Sequence, residues 1–483
     1  MTMIEGSDDL ERLRDNIDIA WEQARKFGLD PFPTHFEMVP ASIMYEFASY
    51  SLPGRFSHWT HGKAYHRQKM QYDFGLSKIY EMVVNTNPSY AFLMDMNNLL
   101  QNTFVVAHVF GHTDFFKNNA YFQHTSRRMI DKVSIHAERI AQYEFDHGKL
   151  EVERFLDAAL SIQEHIDYNL FLRSDDVKHE EKSAEKTSEY DDIWGLDNKA
   201  KKAEEERDRL FLMGRAPKFP ERPEKDILLF LSRHAPHLEP WQRDIIEIVR
   251  TEFLYFVPQM QTKTLNEGWA SIWHSRIMRE LGDRGIISDS DTVEFAQLHS
   301  GVLSPSKTSL NPYYLGYKMF EAIEQRWDNP SEEERERLGR KPGMGRQKIF
   351  EVRELDNDVS FLRNYLTEDL IKDLDLYLYK KEGDEWVISE KQWEKVRDGI
   401  VASMTNFGYP YLVVDNGDYR GNRELYIKHL FEGQELDVNY AEKTLQHVHM
   451  LWGRPVHLET VYEGKRILMT YDGERNTKTS LEK

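Results

Sequence analysis

The chain has 483 residues, 82 acidic against 63 basic side chains, a net charge of −19 and no cysteine. Disulfides and thiolate metal sites are therefore excluded, and any metal must be held by His, Asp or Glu, a donor set that suits zinc, iron or manganese. The acidic balance argues against general nucleic-acid binding, which needs a basic surface. No run approaches the ~18 apolar residues of a membrane span. Residues 1–14 are acidic without an apolar segment, so no signal peptide is read and the cytoplasm is the expected location. The length suffices for two or three domains with a sizeable core.

In chain order, residues 8–27 read as an amphipathic helix closed by Gly28, with Pro31 and Pro33 as breakers and a short helix at 39–48. A turn-rich stretch from Pro53 to Lys63 holds His58 and His61, which either line a pocket or sit in an exposed loop beside Trp59. Helices are expected at 64–84, at 89–117 (one helix, or two joined near Asn97-Asn98), at 126–147 and at 150–171. Residues 1–173 form the N-terminal helical part. Residues 174–223, crowded with Lys, Glu and Asp, read as a charged linker or insertion with an exposed helix at 198–213. Residues 224–330 return to a helical pattern and are assigned to the same domain as 1–173, with helices at 265–281, 291–303 and 311–327. Residues 331–373 read as a charged loop and a connecting helix. From 374 to 473 the alternation of apolar and polar residues predicts a small α+β domain, with a hairpin turning at Asn416-Gly417 and strands at 455–462 and 466–471. Residues 474–483 are expected to be a disordered tail.

The chemistry concentrates in two strings. In Val105-Val106-Ala107-His108-Val109-Phe110-Gly111-His112, the two histidines stand one helical turn apart on one face, so both imidazoles can reach one ion, as in the HExxH motif of zinc peptidases. Val109 occupies the place of that motif's glutamate, so the usual general base is missing. Buried, hydrogen-bonded core histidines are the competing reading. The second string is Asn266-Glu267-Gly268-Trp269-Ala270-Ser271. It resembles the third-ligand helix of gluzincin peptidases, and the resemblance implies Glu267 as a third ligand beside His108 and His112. A two-histidine, one-carboxylate set leaves open coordination positions, which is the catalytic arrangement. For the proton carrier the candidates are His274, which shares the Glu267 helix face, and Asp114, with His136 and Glu138 behind them. His274 could equally be a hydrogen-bonded residue behind a ligand. Asp114 could be a cap, a surface carboxylate or a partner that orients a ligating histidine.

Longer strings extend the likeness to the whole chain: Arg55-Phe56-Ser57-His58-Trp59, Asn87-Pro88-Ser89-Tyr90-Ala91, Asp114-Phe115-Phe116-Lys117-Asn118-Asn119, His299-Ser300-Gly301-Val302, Asn311-Pro312-Tyr313-Tyr314-Leu315-Gly316 and Leu451-Trp452-Gly453-Arg454-Pro455-Val456. With these the chain resembles the SpoVR family, the stage V sporulation protein R-like proteins. That resemblance implies a part in spore cortex formation or in a stress or starvation response, and partnership with a PrkA-like kinase and a von Willebrand A-like protein.

The expected architecture is a mainly α protein: a large helical domain with a gluzincin-metallopeptidase-like core, and a small C-terminal α+β domain. Three functions compete. The first is a zinc-dependent hydrolase of amide or peptide bonds, acting on peptidoglycan by inference from the cortex role. The second is a degenerate metallopeptidase fold that binds protein partners, favoured by Val109. The third is an oxygen-activating iron site built from the same two histidines and one carboxylate.

Overall fold

A computed structural model describes residues 7–73, 81–169, 218–305, 309–383 and 385–482. The charged segment at 174–223 and its helix at 198–213 fall almost wholly outside the described residues. The protein is mainly helical, with a five-stranded sheet near its C-terminal end. It divides into two compact units, residues 1–138 with 255–408 and residues 139–254 with 409–483. These breaks do not coincide with the boundaries expected at 173, 223, 330 and 373. The break at 139 carries no local punctuation, since residues 136–142 contain neither Pro nor Gly.

The first unit is built on the helix Leu99–Asn118, hereafter the histidine helix. It is buried on every face, each residue from Leu100 to Phe116 included. A helix with no polar stripe must lie inside the core. Its start is set by Asn98, whose side chain accepts from the Gln101 N–H while Gln101 reaches back to the Asn98 backbone, a full capping box. Against it packs Lys263–Asp283, the glutamate helix. The two approach closely because Gly111 faces Ala270: a Cβ on Gly111 would stand 2.6 Å from the Ala270 Cα. The glutamate helix in turn meets Pro312–Asp328, the tyrosine helix, through a second glycine contact. A Cβ on Gly268 would come within 2.4 Å of the Gly316 carbonyl carbon.

A small sheet also faces the histidine helix. Strands β1 (Thr34–Val39), β2 (Glu81–Val84) and β3 (Ser89–Met94) are ordered β1-β3-β2, with β1 parallel and β2 antiparallel to β3. These strands correct two expectations. Residues 81–84 are not the end of a helix, and 89–94 are a strand rather than the first turns of the histidine helix. The run 89–117 is mostly apolar, so a largely buried strand followed by a buried helix leaves little change of period to read. Asn97-Asn98 marks the junction. A hairpin, β4 (Leu378–Glu382) with β5 (Glu385–Glu390), and the helix Trp393–Met404 complete this unit. The stretch at 331–373, expected as a loop and one helix, holds four helices: Glu332–Leu338, Gly345–Leu355, Asp358–Tyr365 and Glu368–Asp373.

The second unit holds a five-stranded sheet ordered β10-β9-β8-β7-β6, from β6 (Leu412–Tyr419), β7 (Glu424–His429), β8 (Val456–Tyr462), β9 (Lys465–Tyr471) and β10 (Asn476–Ser480). The parallel pair β7–β8 is joined through the helix Val438–Trp452, as a parallel crossover requires. Two details differ from expectation. The hairpin does not turn at Asn416-Gly417, which lie inside β6. It turns at residues 420–423, where Arg420, Gly421 and Arg423 take positive φ. The polar tail is not frayed: Asn476–Ser480 pairs antiparallel with β9 as an edge strand. Main-chain pairing supplies order there that side-chain composition does not announce.

Candidate metal centre

The side chains of His108 and His112 point the same way from the histidine helix, and both are almost fully buried. Their Nε2 atoms meet two carboxylates. Glu81 Oε1 lies 3.3 Å from His108 Nε2 and 3.4 Å from His112 Nε2. Glu267 Oε2 lies 3.6 and 3.4 Å from the same atoms. Donor atoms of Glu81, His108 and His112 all fall within 4.8 Å of one another. In a tetrahedral zinc site with bonds of about 2.0–2.2 Å, neighbouring donors stand roughly 3.3–3.6 Å apart. The four carboxylate–imidazole separations match that edge. His108 Nε2 and Glu267 Oε2 are also buried without a hydrogen-bond partner, and orphaned buried polar atoms of this kind call for an ion or ligand. The residues present therefore fit a divalent cation.

Each imidazole is held from behind. His112 Nδ1 lies 3.0 Å from Asn266 Oδ1, so an Nδ1–H donates to the amide oxygen and leaves Nε2 for a cation. His108 Nδ1 lies 2.7 Å from His274 Nδ1, and His274 Nε2 lies 2.8 Å from His299 Nδ1. With all three rings neutral, protons on His108 Nδ1 and His274 Nε2 make a consistent donor chain that again frees His108 Nε2. Burial holds His274 well below the usual imidazole range, and the neighbouring His108 and His299 add to this. Burial likewise pulls His299 down to about 4. Such neutral rings serve well as hydrogen-bond relays behind a ligand.

The front of the site is strongly polarised. Burial opposes charge on His112, but the Glu267 and Glu81 carboxylates outweigh it and push its pKa up to about 10. For Glu267, burial would raise the pKa, yet His112 and His108 hold it well below the usual carboxylate range. Two carboxylates beside a trapped proton form a cluster whose charge a divalent cation would balance. Tyr313 also faces this cluster. Its ring stacks on His108 at 6.0 Å, and Glu267, burial and Glu81 together raise its pKa well above the usual phenol value.

The structure thus brings together His108, His112 and Glu267. His274 lies behind His108, between it and His299, rather than beside the carboxylates. Asp114 points to the opposite side of the histidine helix. Its carboxylate accepts from Trp269 Nε1 at 2.8 Å, the Asp30 N–H at 2.7 Å and Asn118 Nδ2 at 3.2 Å, with Arg353 Nε 3.7 Å away. It locks the glutamate helix in place through Trp269. His136 is buried and Glu138 exposed on the helix Met129–His147, and neither belongs to the donor cluster. His58 and His61 are buried rather than exposed, with His61 stacked on Tyr50 at 4.7 Å.

Sequence reasoning missed Glu81, Tyr313, Asn266 and His299. Asn266, His299 and Tyr313 all sit in strings quoted above for their likeness to known families. Glu81 gives no such signal, because it reaches the site from a strand outside both metal-site strings.

The chain belongs to the SpoVR family: the SpoVR like protein family matches residues 7–409, and the SpoVR-like C-terminal domain matches residues 410–463. A relative in Escherichia coli (strain K12), the uncharacterized protein YcgB, is 28% identical over 457 residues, spanning 90% of this chain and 89% of that protein. No solved structure matches the chain. Among the described residues no helix is long and apolar enough to cross a membrane.

Proposed function

We propose that this protein is a metal-dependent hydrolase of amide or peptide bonds, with His108, His112 and Glu267 as ligands and Glu81 as the additional carboxylate at the open face. The observation that carries this reading is the pair of imidazole Nε2 atoms facing two half-buried carboxylates, with the His108 Nε2 and Glu267 Oε2 atoms partnerless. A bound zinc ion supplies carbonyl polarisation and an acidified water. Asn266 and His274 fix the ring orientations, while Phe116 and Tyr313 stack against His112 and His108, and Phe104 packs edge-on to His274. Val109 cannot accept a proton. Glu81, on the edge strand of its sheet, is the carboxylate that reaches the same point from outside the helix. This arrangement supports a gluzincin-like core with Glu81 as a further donor on a strand rather than a base on the histidine helix. Peptidoglycan fragments are the substrate class that the family's sporulation name favours, within a sporulation or stress response.

The second reading is a partner-binding protein that keeps the centre for structure and serves a PrkA-like kinase and a von Willebrand A-like protein. Val109, and the use of His274 behind a ligand, favour it. Elemental analysis of the purified protein, alongside His108→Ala and Glu267→Ala, separates the possibilities. Near one zinc per chain, lost in both variants while the fold persists, supports the hydrolase centre and justifies an amidase screen. Iron in its place moves the chemistry to oxygen activation, with manganese the other metal the donors suit. No metal, even after adding zinc, removes the centre and leaves partner binding.

A further inference from the structure

Tyr313 opens the tyrosine helix. Asn311 caps it by accepting from the Tyr313 and Tyr314 N–H groups at 3.0 and 3.3 Å, and Pro312 takes the first helical position, where no N–H is needed. One turn later Gly316 lies against the glutamate helix so closely that a Cβ there would stand 2.2 Å from the Thr264 carbonyl oxygen. Cap and glycine contact together fix where Tyr313 stands. Its ring lies over His108, 6.0 Å away at 30°, and its hydroxyl faces the Glu267 carboxylate.

Tyr313 is half-buried, and a tyrosine hydroxyl in such a position usually keeps a hydrogen-bond partner. Here the hydroxyl interacts with the Glu267 carboxylate, and a cation would claim that carboxylate. Once Glu267 gives its charge to an ion, the O–H is free to donate to another oxygen on the same side. We propose that Tyr313 is a substrate-contacting residue, whose hydroxyl donates a hydrogen bond to an oxygen of an acyl or amide group bound at the metal centre. The assignment rests on the metal-centre reading above. It gives the site a preference for ligands that present a carbonyl-type oxygen, since a donor aimed there stabilises negative charge as it develops.

The test uses the full chain loaded with cobalt(II) and acetohydroxamate as the probe, followed by the visible cobalt spectrum. Wild-type protein and Tyr313→Phe should both take up cobalt with the same stoichiometry and the same ligand-free spectrum. Acetohydroxamate should bind the Phe variant roughly ten- to a hundredfold more weakly, the worth of one hydrogen bond to a charged oxygen. Tyr314→Phe should match the wild type. Tyr313→His, which retains a ring N–H, should recover part of the affinity and also serves if the Phe variant does not fold. Equal affinity in wild type and either folded Tyr313 variant overturns the assignment while the metal centre stands. Failure of the wild type to take up cobalt removes the metal centre and the assignment with it.

Discussion

Metal uptake should release a proton from His112. Burial lowers that imidazole's pKa, yet Glu267 and Glu81 raise it to about 10. At pH 7 the metal-free ring is therefore protonated at the nitrogen a cation needs. Ligation requires the neutral ring. The apparent zinc binding constant should accordingly rise about tenfold per pH unit between pH 6 and pH 8, each unit corresponding to about 1.4 kcal/mol. Glu267 is held well below the usual carboxylate range and adds nothing to this slope. Competition against a metallochromic chelator at fixed ionic strength gives the constant. Calorimetry in buffers of different ionisation enthalpy counts the proton, which should be about one from His112. A binding constant that does not change with pH would refute the reasoning, because His112 would then be neutral without metal. Stability follows the same group. A folded-state pKa above the unfolded value of about 6.5 contributes stability that is full below that pH. The contribution is lost as pH rises through about 10. Metal-free protein should thus lose melting temperature on the alkaline side, and metal-loaded protein should be spared that loss.

Glu81→Gln removes one of the carboxylates that charge His112, so zinc affinity should fall and the pH at which the binding slope flattens should move down from about 10; an unchanged affinity and flattening point would place Glu81 outside the centre. Gly268→Ala forces a Cβ to within 2.4 Å of the Gly316 carbonyl carbon, where both sides are backbone and neither can yield. It should cost roughly 1–3 kcal/mol by denaturant melts and weaken metal binding as Glu267 shifts. Asp358 accepts from the Thr264 and Leu265 N–H groups at 2.8 Å each and so caps the glutamate helix from another helix. Asp358→Ala should lower stability by about 0.5–2 kcal/mol, read from the same melts. Asp114→Ala strands Trp269 Nε1 and Arg353 in the core and should cost about 3–5 kcal/mol, the usual penalty for breaking a buried pair from one side.

Much of the centre is legible in the chain itself. His108 and His112 are one turn apart in an apolar run, and the geometry of an α-helix alone puts them on one face. Asn311-Pro312 announces the start of the tyrosine helix, and the absence of cysteine restricts any metal to nitrogen and oxygen donors. The change of pattern from 374 onward also announces strands, although the first two, β4 and β5, belong to the helical unit. These features are local, because they follow from helical period, cap chemistry and residue type within a few positions.

What lies across long sequence separations was decided by packing. Glu81 joins the histidines because β2 pairs with β3 at the sheet edge, and no spacing in the chain encodes that register. His274 stands behind His108, and Asp114 turns away to hold Trp269, because the glycine contacts at Gly111 and Gly268 set the distance and rotation of three helices. The apolar run 89–117 breaks into strand and helix because the first half pairs its backbone with β1 and β2 and the second half does not. Residue types determined which side chains could bind a metal. Only the tertiary contacts determined which of them share one point, since that depends on backbone pairings and close helix crossings between residues far apart in the chain.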